Sequence, residues 1–124
     1  NFGHTFAHGF EGAKNFARKL NHGEAVLLGM YVACDLSYRK NLLPLKDLKM
    51  IIKHYQNLNL PSKSDKFFKK KDINKIITFM KKDKKNSGQK INLILLKKIG
   101  KVTKPNSFYF NNSEIRKTLI NNFN

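Results

Sequence analysis

Apolar residues recur at helical spacing in successive segments of this chain, and this periodicity constrains the fold more than any other feature of the sequence. In the first segment Phe2, Phe6 and Phe10 fall four residues apart, which places their side chains on one face of an α-helix. The same spacing predicts an apolar stripe on the second helix and an apolar face on the fourth, formed respectively by Val26, Leu27, Met30, Cys34 and Leu36 and by Ile73, Ile76, Ile77 and Met80. We expect helices over residues 1–18, 22–40, 45–58 and 72–82, with a last short helix over 114–122.

Polar residues that cap helices stand where these segments begin. Asn21 is followed three residues later by Glu24, an arrangement typical of a capping box, and this makes His22 the first residue of the second helix. Asp72 and Ser113 are the predicted N-caps of the fourth and the last helix. The stretch 62–71 is polar and rich in lysine, so we expect a loop there.

The predicted fold class is mainly α, with a small β element near residues 91–103. The apolar run at 91–96 suits a strand, and Gly100 with Val102 indicates a second strand or a bend. A length of 124 residues fits a single domain, 1–124, and 40% hydrophobic residues supply a modest core. Because Asn1 lies inside a predicted helix, we expect the chain to be a fragment of a longer protein.

The cysteine content and the lengths of the apolar runs indicate a cellular setting. Every apolar run is shorter than the roughly 18 residues needed to cross a bilayer, so no membrane association is expected. Cys34 is the single cysteine, which rules out an internal disulfide and makes the reducing cytoplasm the simplest location. We expect Cys34 to be a small residue of the core.

The formal charge of +17 raises the possibility of a basic module that binds nucleic acid. The chain has 22 lysines and only 3 arginines, whereas phosphate and base recognition usually also relies on the planar guanidinium. A solvated lysine coat is therefore the favoured interpretation. The nucleic-acid alternative predicts salt-sensitive DNA or RNA binding that survives the loss of the histidines discussed next.

Three of the four histidines lie within the first 22 residues. His4 and His8 are four residues apart, so on a helix they share one face and could hold an ion together or pair a ligand with an acid–base group. His22, at a helix start, can project into a cleft. A catalytic divalent ion usually takes three protein ligands, and capping explains Glu24 better than metal binding does. The segment therefore resembles part of a site whose remaining ligand lies elsewhere.

Three sequence blocks resemble the 3-dehydroquinate synthase family, which acts in the shikimate pathway of aromatic amino acid biosynthesis. The blocks are NFGHTFAHGFE, then LNHGEAVLLGM, and then MKKDKKNSGQKINLILLKKIGK. They occur in the order found in the family and at about its spacing, and they cover residues 1–104. The resemblance implies an N-terminal NAD-binding domain, absent from this chain, and a helical C-terminal metal- and substrate-binding domain, to which the chain would correspond.

The resemblance also implies roles for particular residues. The family holds zinc, or cobalt in its place, with two histidines and a glutamate. By motif position the histidines are His4 and His22, and the glutamate lies in the missing N-terminal part. His8 matches the histidine implicated in proton transfer.

Substrate contacts are implied at two further places in the sequence. Asn1 matches an asparagine that contacts substrate, and one lysine of the DKK block, Lys85 or else Lys84, matches a substrate-binding lysine. The implied enzyme is a metal- and NAD-dependent phosphate lyase and cyclase, commonly a homodimer. Its substrate is a sugar-acid phosphate, and this chain alone would be inactive.

The chain departs from the family pattern between the first two histidines. Ala7 stands where glycine is usual, and Gly9-Phe10 stands where Ala-Ile is common. These changes leave the implied metal ligands in place, but they leave the substrate open among related cyclases acting on a sedoheptulose or glucose phosphate. The metal-dependent alcohol dehydrogenases also mount their ion on helical histidines, but the DKK and IGK blocks argue against them.

Overall fold

The computed structural model describes residues 2–16, 20–82 and 90–124. The described part of the chain folds into five α-helices, α1 (His4–Gly12), α2 (His22–Arg39), α3 (Leu45–Asn57), α4 (Ile73–Lys81) and α5 (Asn112–Phe123). Short 3-10 turns lie at Lys14–Phe16, Ser64–Lys66 and Lys70–Asp72. The predicted mainly α fold is confirmed. Among these helices none is both long and apolar enough to cross a membrane.

Four short strands form two antiparallel pairs between α4 and α5. Strand β1 (Ile91–Leu93) pairs with β4 (Phe108–Phe110), and β2 (Leu96–Lys98) pairs with β3 (Lys101–Val102). The predicted β element near 91–103 is present, but β4 extends it beyond the predicted range. The run 91–96 is divided between two strands, since β1 ends at Leu93 and β2 begins at Leu96. Between them, the carbonyl of Leu95 accepts a hydrogen bond from the backbone N–H of Thr103.

The first helix is shorter than the predicted 1–18. Gly3 has a φ of 78°, a left-handed conformation outside the α-helical region, so α1 begins only at His4. Gly3 also lies against α2, where an added Cβ would come within 2.9 Å of the backbone of Met30. The α-helix ends at Gly12, and the chain continues into the 3-10 turn at Lys14–Phe16.

The capping box predicted for α2 is confirmed. The side chain of Asn21 accepts the backbone N–H of Glu24 at 2.8 Å, and the carboxylate of Glu24 accepts the backbone N–H of Asn21 at 3.0 Å. These two bonds satisfy backbone donors that the first turn of a helix leaves without a partner. The helix therefore starts at His22, as the sequence predicts.

Asp72 stands at the N-cap position of α4 as predicted, but without a capping bond, and the cap predicted for α5 is wrong. The carboxylate of Asp72 accepts the backbone N–H of Lys69 at 2.9 Å, within the preceding 3-10 turn, and makes no capping bond to α4. Helix α5 begins two residues before the predicted Glu114, and its N-cap is Asn111 instead of Ser113. Asn111 and Glu114 form the same reciprocal pair of hydrogen bonds as the box that starts α2.

Helix α2 lies at the centre of the fold, with α1, α3, α5 and β2 packed against it. Because it is covered on several sides, its buried surface differs from the predicted apolar stripe. Val26, Leu27 and Met30 are only half-buried. The fully enclosed side chains of the main core, from α2 and its neighbours, include Phe6, Phe10, Ala25, Leu28, Val32, Ile73, Ile76, Met80, Ile91, Ile115 and Leu119.

The stretch 62–71, predicted to be a polar loop, contains two 3-10 turns and packs against the core. Ser64 and Phe68 are buried, and Phe68 stacks on Phe10 of the core. The side-chain oxygen of Asn122 in α5 accepts hydrogen bonds from both the backbone N–H and the hydroxyl of Ser64. Its amide nitrogen donates to the carbonyl of Ser62 at 2.8 Å. This buried network ties the stretch to the last helix.

Candidate metal centre

Helix α1 carries three polar side chains on one face. His4, His8 and Glu11 are spaced four and three residues apart, so they form a continuous stripe along the helix. The rings of His4 and His8 have centroids 6.1 Å apart and planes tilted by 36°. Both histidines are exposed, while Glu11 is half-buried. The predicted pairing of the two histidines on one helical face is therefore observed.

The opposite face of α1 is fixed to the core. Phe6 and Phe10 are fully buried. Gly9 and Gly12 lie against α4, where a Cβ at Gly9 would come within 2.9 Å of the carbonyl oxygen of Ile76. Such close packing leaves little freedom for the helix to rotate, so the polar stripe is held facing away from the core.

His22 sits on the first turn of α2, next to the end of the stripe. Its Nδ1 lies 3.0 Å from Oε2 of Glu11, eleven residues earlier in the chain. The side chain of His22 is 76% exposed and that of Glu11 28% exposed. This contact between α1 and α2 was not foreseen, because Glu11 carried no assigned role. The signal available in the sequence was its helical spacing from His4 and His8.

The contacts between α1 and α2 define their relative direction. Gly29 lies beside Gly3 and Ala7, whereas His22 lies beside Glu11, so the two helices run antiparallel. Glu11 is seven residues after His4, which corresponds to about 10 Å along the helix axis. The start of α2 therefore lies beside the end of α1 that carries Glu11.

The structure brings the predicted residues His4 and His8 together, and it pairs His22 with Glu11, a residue without a predicted role. Within residues 2–16, 20–82 and 90–124 there is no group of three or more His, Cys, Asp or Glu side chains placed to hold a metal ion. The predicted substrate residues, Asn1, Lys84 and Lys85, lie outside the described residues.

An apolar groove of about 460 Å³ opens beside the start of α1, away from the polar stripe. It lies between α2, α3 and the turn that joins β2 to β3. Its lining includes Phe2, Met30, Cys34, Met50, Tyr55 and Ile99. Cys34 is buried at its base, as expected for a core residue, and burial raises the pKa of its thiol to about 12. His54 also lines this groove and is exposed.

The fold of the chain matches that of two solved structures. A solved structure of 2-deoxy-scyllo-inosose synthase complexed with carbaglucose-6-phosphate, NAD+ and Co2+ superposes with a TM-score of 0.73, over 98% of this chain and 34% of that chain. A second structure of 2-deoxy-scyllo-inosose synthase gives a TM-score of 0.67, over 98% of this chain and 31% of that one. Both are 24% identical in sequence, so the similarity establishes a shared fold.

Sequence comparison then gives the family. The 3-dehydroquinate synthase C-terminal family matches residues 1–86. The 3-dehydroquinate synthase of Pelagibacter ubique is 52% identical over 100 residues, covering 81% of this chain and 27% of that protein. The Zymomonas mobilis enzyme is 38% identical over 101 residues, covering 82% of this chain and 27% of its own length. The chain belongs to the 3-dehydroquinate synthase C-terminal family and spans about a quarter of the length of these relatives.

Proposed function

We propose that this chain is the metal- and substrate-binding C-terminal part of a 3-dehydroquinate synthase. Such an enzyme converts 3-deoxy-D-arabino-heptulosonate 7-phosphate to 3-dehydroquinate and phosphate. The observation that carries the proposal is the exposed histidine stripe of α1 beside the first turn of α2, in a chain 52% identical to a synthase over 100 residues. The NAD-binding domain belongs to the rest of the protein.

The donor set of the chain fits part of a divalent metal site. Imidazole nitrogens are suitable ligands for zinc and cobalt, and the rings of His4 and His22 are exposed instead of packed in the core. They are carried by two helices that pack antiparallel against each other, with Gly29 of α2 beside Gly3 and Ala7. A catalytic site needs a third protein ligand, which we assign to a glutamate outside this chain. When bound, the ion acidifies a substrate hydroxyl and polarises a carbonyl.

His8 has the position and chemistry of a proton carrier. Its exposed ring lies one helical turn from that of His4, so it can reach a hydroxyl of a substrate held over the stripe. A neutral imidazole accepts the hydroxyl proton on its unprotonated ring nitrogen and returns it in a later step. Asn1 and one lysine of the pair Lys84–Lys85 complete the proposed substrate contacts, the lysine as a point charge towards carboxylate or phosphate.

The remaining parts of the proposal concern the whole protein. Its relatives are about four times longer than the matched segment, which leaves room for an N-terminal NAD-binding domain. We propose a homodimeric enzyme of the cytoplasm. This chain alone is expected to be inactive, because it supplies only two of three metal ligands.

The test compares three histidine variants of the full-length protein. His4→Ala and His22→Ala each remove one proposed ligand, so we expect loss of stoichiometric zinc and of turnover. His54→Ala is the matched control, because it removes an exposed imidazole from α3 without touching the stripe. Metal content is measured after gel filtration, and turnover by phosphate release. Full activity of His4→Ala or of His22→Ala would overturn the metal assignment.

A related cyclase with another substrate is the second candidate, favoured by the fold similarity to two 2-deoxy-scyllo-inosose synthases. Steady-state assays of the full-length protein with the heptulosonate phosphate, sedoheptulose 7-phosphate and glucose 6-phosphate separate the candidates. We expect the highest kcat/KM with the heptulosonate phosphate. A preference for either of the other two sugars would assign the chain to the corresponding cyclase.

A further inference from the structure

The contact between Glu11 and His22 can set the orientation of the His22 ring. Oε2 of Glu11 lies 3.0 Å from Nδ1 of His22, a normal hydrogen-bond length. A carboxylate only accepts hydrogen bonds, so the ring nitrogen is the donor. With the proton on Nδ1, a neutral imidazole keeps its lone pair on Nε2.

Both side chains stand on firmly held backbone. The reciprocal bonds between Asn21 and Glu24 fix the first turn of α2, which carries His22. Gly9 and Gly12 pack closely on α4 and fix the end of α1, which carries Glu11. The hydrogen bond therefore adds a restraint on the ring of His22 itself, whose side chain is 76% exposed and has little packing to hold it.

Glu11 is the acidic partner of His22 among the nearby carboxylates. The other carboxylate on this turn, Glu24, is engaged with the backbone N–H of Asn21. Glu11 is the more protected member of the pair, with its side chain 28% exposed. Histidines that bind metals usually donate the proton of their other nitrogen to a carboxylate or a carbonyl, which sets the tautomer and the ring orientation.

We propose that Glu11 is a positioning residue: its carboxylate holds the ring of His22 with Nε2 directed away from that carboxylate and available to a divalent cation. The inference rests on the proposed function, because it takes His22 to be a metal ligand. Glu11 contacts neither the ion nor the substrate, and its effect passes through His22 alone.

The test measures zinc affinity of the full-length protein by competition with a chromophoric chelator. Removing such a partner from a metal-bound histidine weakens affinity by about 10- to 100-fold, and we expect this for Glu11→Ala. Glu11→Gln keeps an acceptor oxygen at the same reach, so most of the affinity should remain. Glu11→Asp keeps the charge but shortens the arm, and it should resemble Glu11→Ala. Asp35→Asn removes a carboxylate elsewhere on α2 and is the control for net charge.

The outcomes separate the inference from the proposed function on which it rests. Wild-type affinity in Glu11→Ala, together with strong loss in His22→Ala, would overturn the positioning role while leaving the metal site intact. Wild-type affinity in His22→Ala would remove the proposed function itself. Wild-type affinity in Glu11→Asp with loss in Glu11→Gln would show an effect of charge alone. The absorption spectrum of the Co2+-loaded protein is the second readout: retained coordination in Glu11→Ala supports positioning, and a changed ligand set would make Glu11 a ligand.

Discussion

A single methyl group placed at Gly29 should separate the two helices that carry the histidines. A Cβ at this position would lie 2.7 Å from the carbonyl oxygen of Gly3 and 2.9 Å from the backbone nitrogen of Ala7. These two atoms form the hydrogen bond of 3.0 Å that opens α1. Because both are backbone atoms, no side-chain rotation can relieve the clash, and α1 must move away from α2.

The expected magnitude for Gly29→Ala follows from two opposing effects. Alanine is favoured over glycine in a helix interior by about 1 kcal/mol. Overpacking of a close-packed interface costs about 1–3 kcal/mol, and contact with two backbone atoms puts this site at the upper end. The net expectation is a loss of about 2 kcal/mol in the free energy of unfolding, from the difference of these two terms.

Gly23→Ala is the matched control in the same helix. The nearest atom to a Cβ at Gly23 is the side-chain oxygen of Asn21 at 3.5 Å, an ordinary contact. Without a clash, alanine should stabilise the protein by about 0.4–1 kcal/mol. Urea titrations followed by far-UV circular dichroism compare the two variants with the wild type. If both variants unfold at the same urea concentration, the tight contact between α1 and α2 does not limit stability and the reasoning is refuted.

Three further predictions concern a helix cap, a carboxylate and the cysteine. Asn111→Ala should cost about 1 kcal/mol in urea titrations and Ser113→Ala almost nothing, because Asn111 makes the capping bonds of α5; equal losses would contradict this. The hydrogen bond from the backbone N–H of Asn111, aided by Lys40, lowers the pKa of Glu114. The ionised Glu114 therefore stabilises the fold fully above pH 4.5, and this stabilisation is lost as the pH falls through the lowered pKa. Stability measured against pH should therefore decline less steeply below 4.5 in Glu114→Gln than in the wild type. Cys34, with a pKa raised to about 12 by burial, should react with iodoacetamide at pH 8 at least about 100-fold more slowly in the native protein than in denaturant; equal rates would show that the thiol is accessible.

Much of the local structure could be predicted from the sequence. The start of α2 at His22 was foreseen because the bonds between Asn21 and Glu24 span three residues. The buried face of α4 was foreseen because helical periodicity fixes which residues share a side. The pairing of His4 with His8 follows from the same geometry. In each case the interacting groups lie within one or two turns.

Predictions failed where a local pattern had two possible outcomes. Asp72 occupies the N-cap position of α4 as predicted, but its carboxylate binds the N–H of Lys69 in the preceding turn, and Asn111 caps α5 in place of Ser113. Strand β4 was missed because a three-residue strand contains too little periodicity to recognise. Its partner β1 lies 17 residues earlier in the register, and only the folded chain brings them together.

The sequence by itself determined the helices, the capping box of α2 and the histidine face of α1, because these depend on spacing along the chain. The tertiary structure alone decided that Glu11 meets His22 and that Gly29 of α2 lies beside the start of α1. Those relations depend on the antiparallel packing of α1 on α2, which is set by close backbone contact at Gly3 and Gly29. Contacts of this kind join residues far apart in the chain, and no local periodicity encodes them.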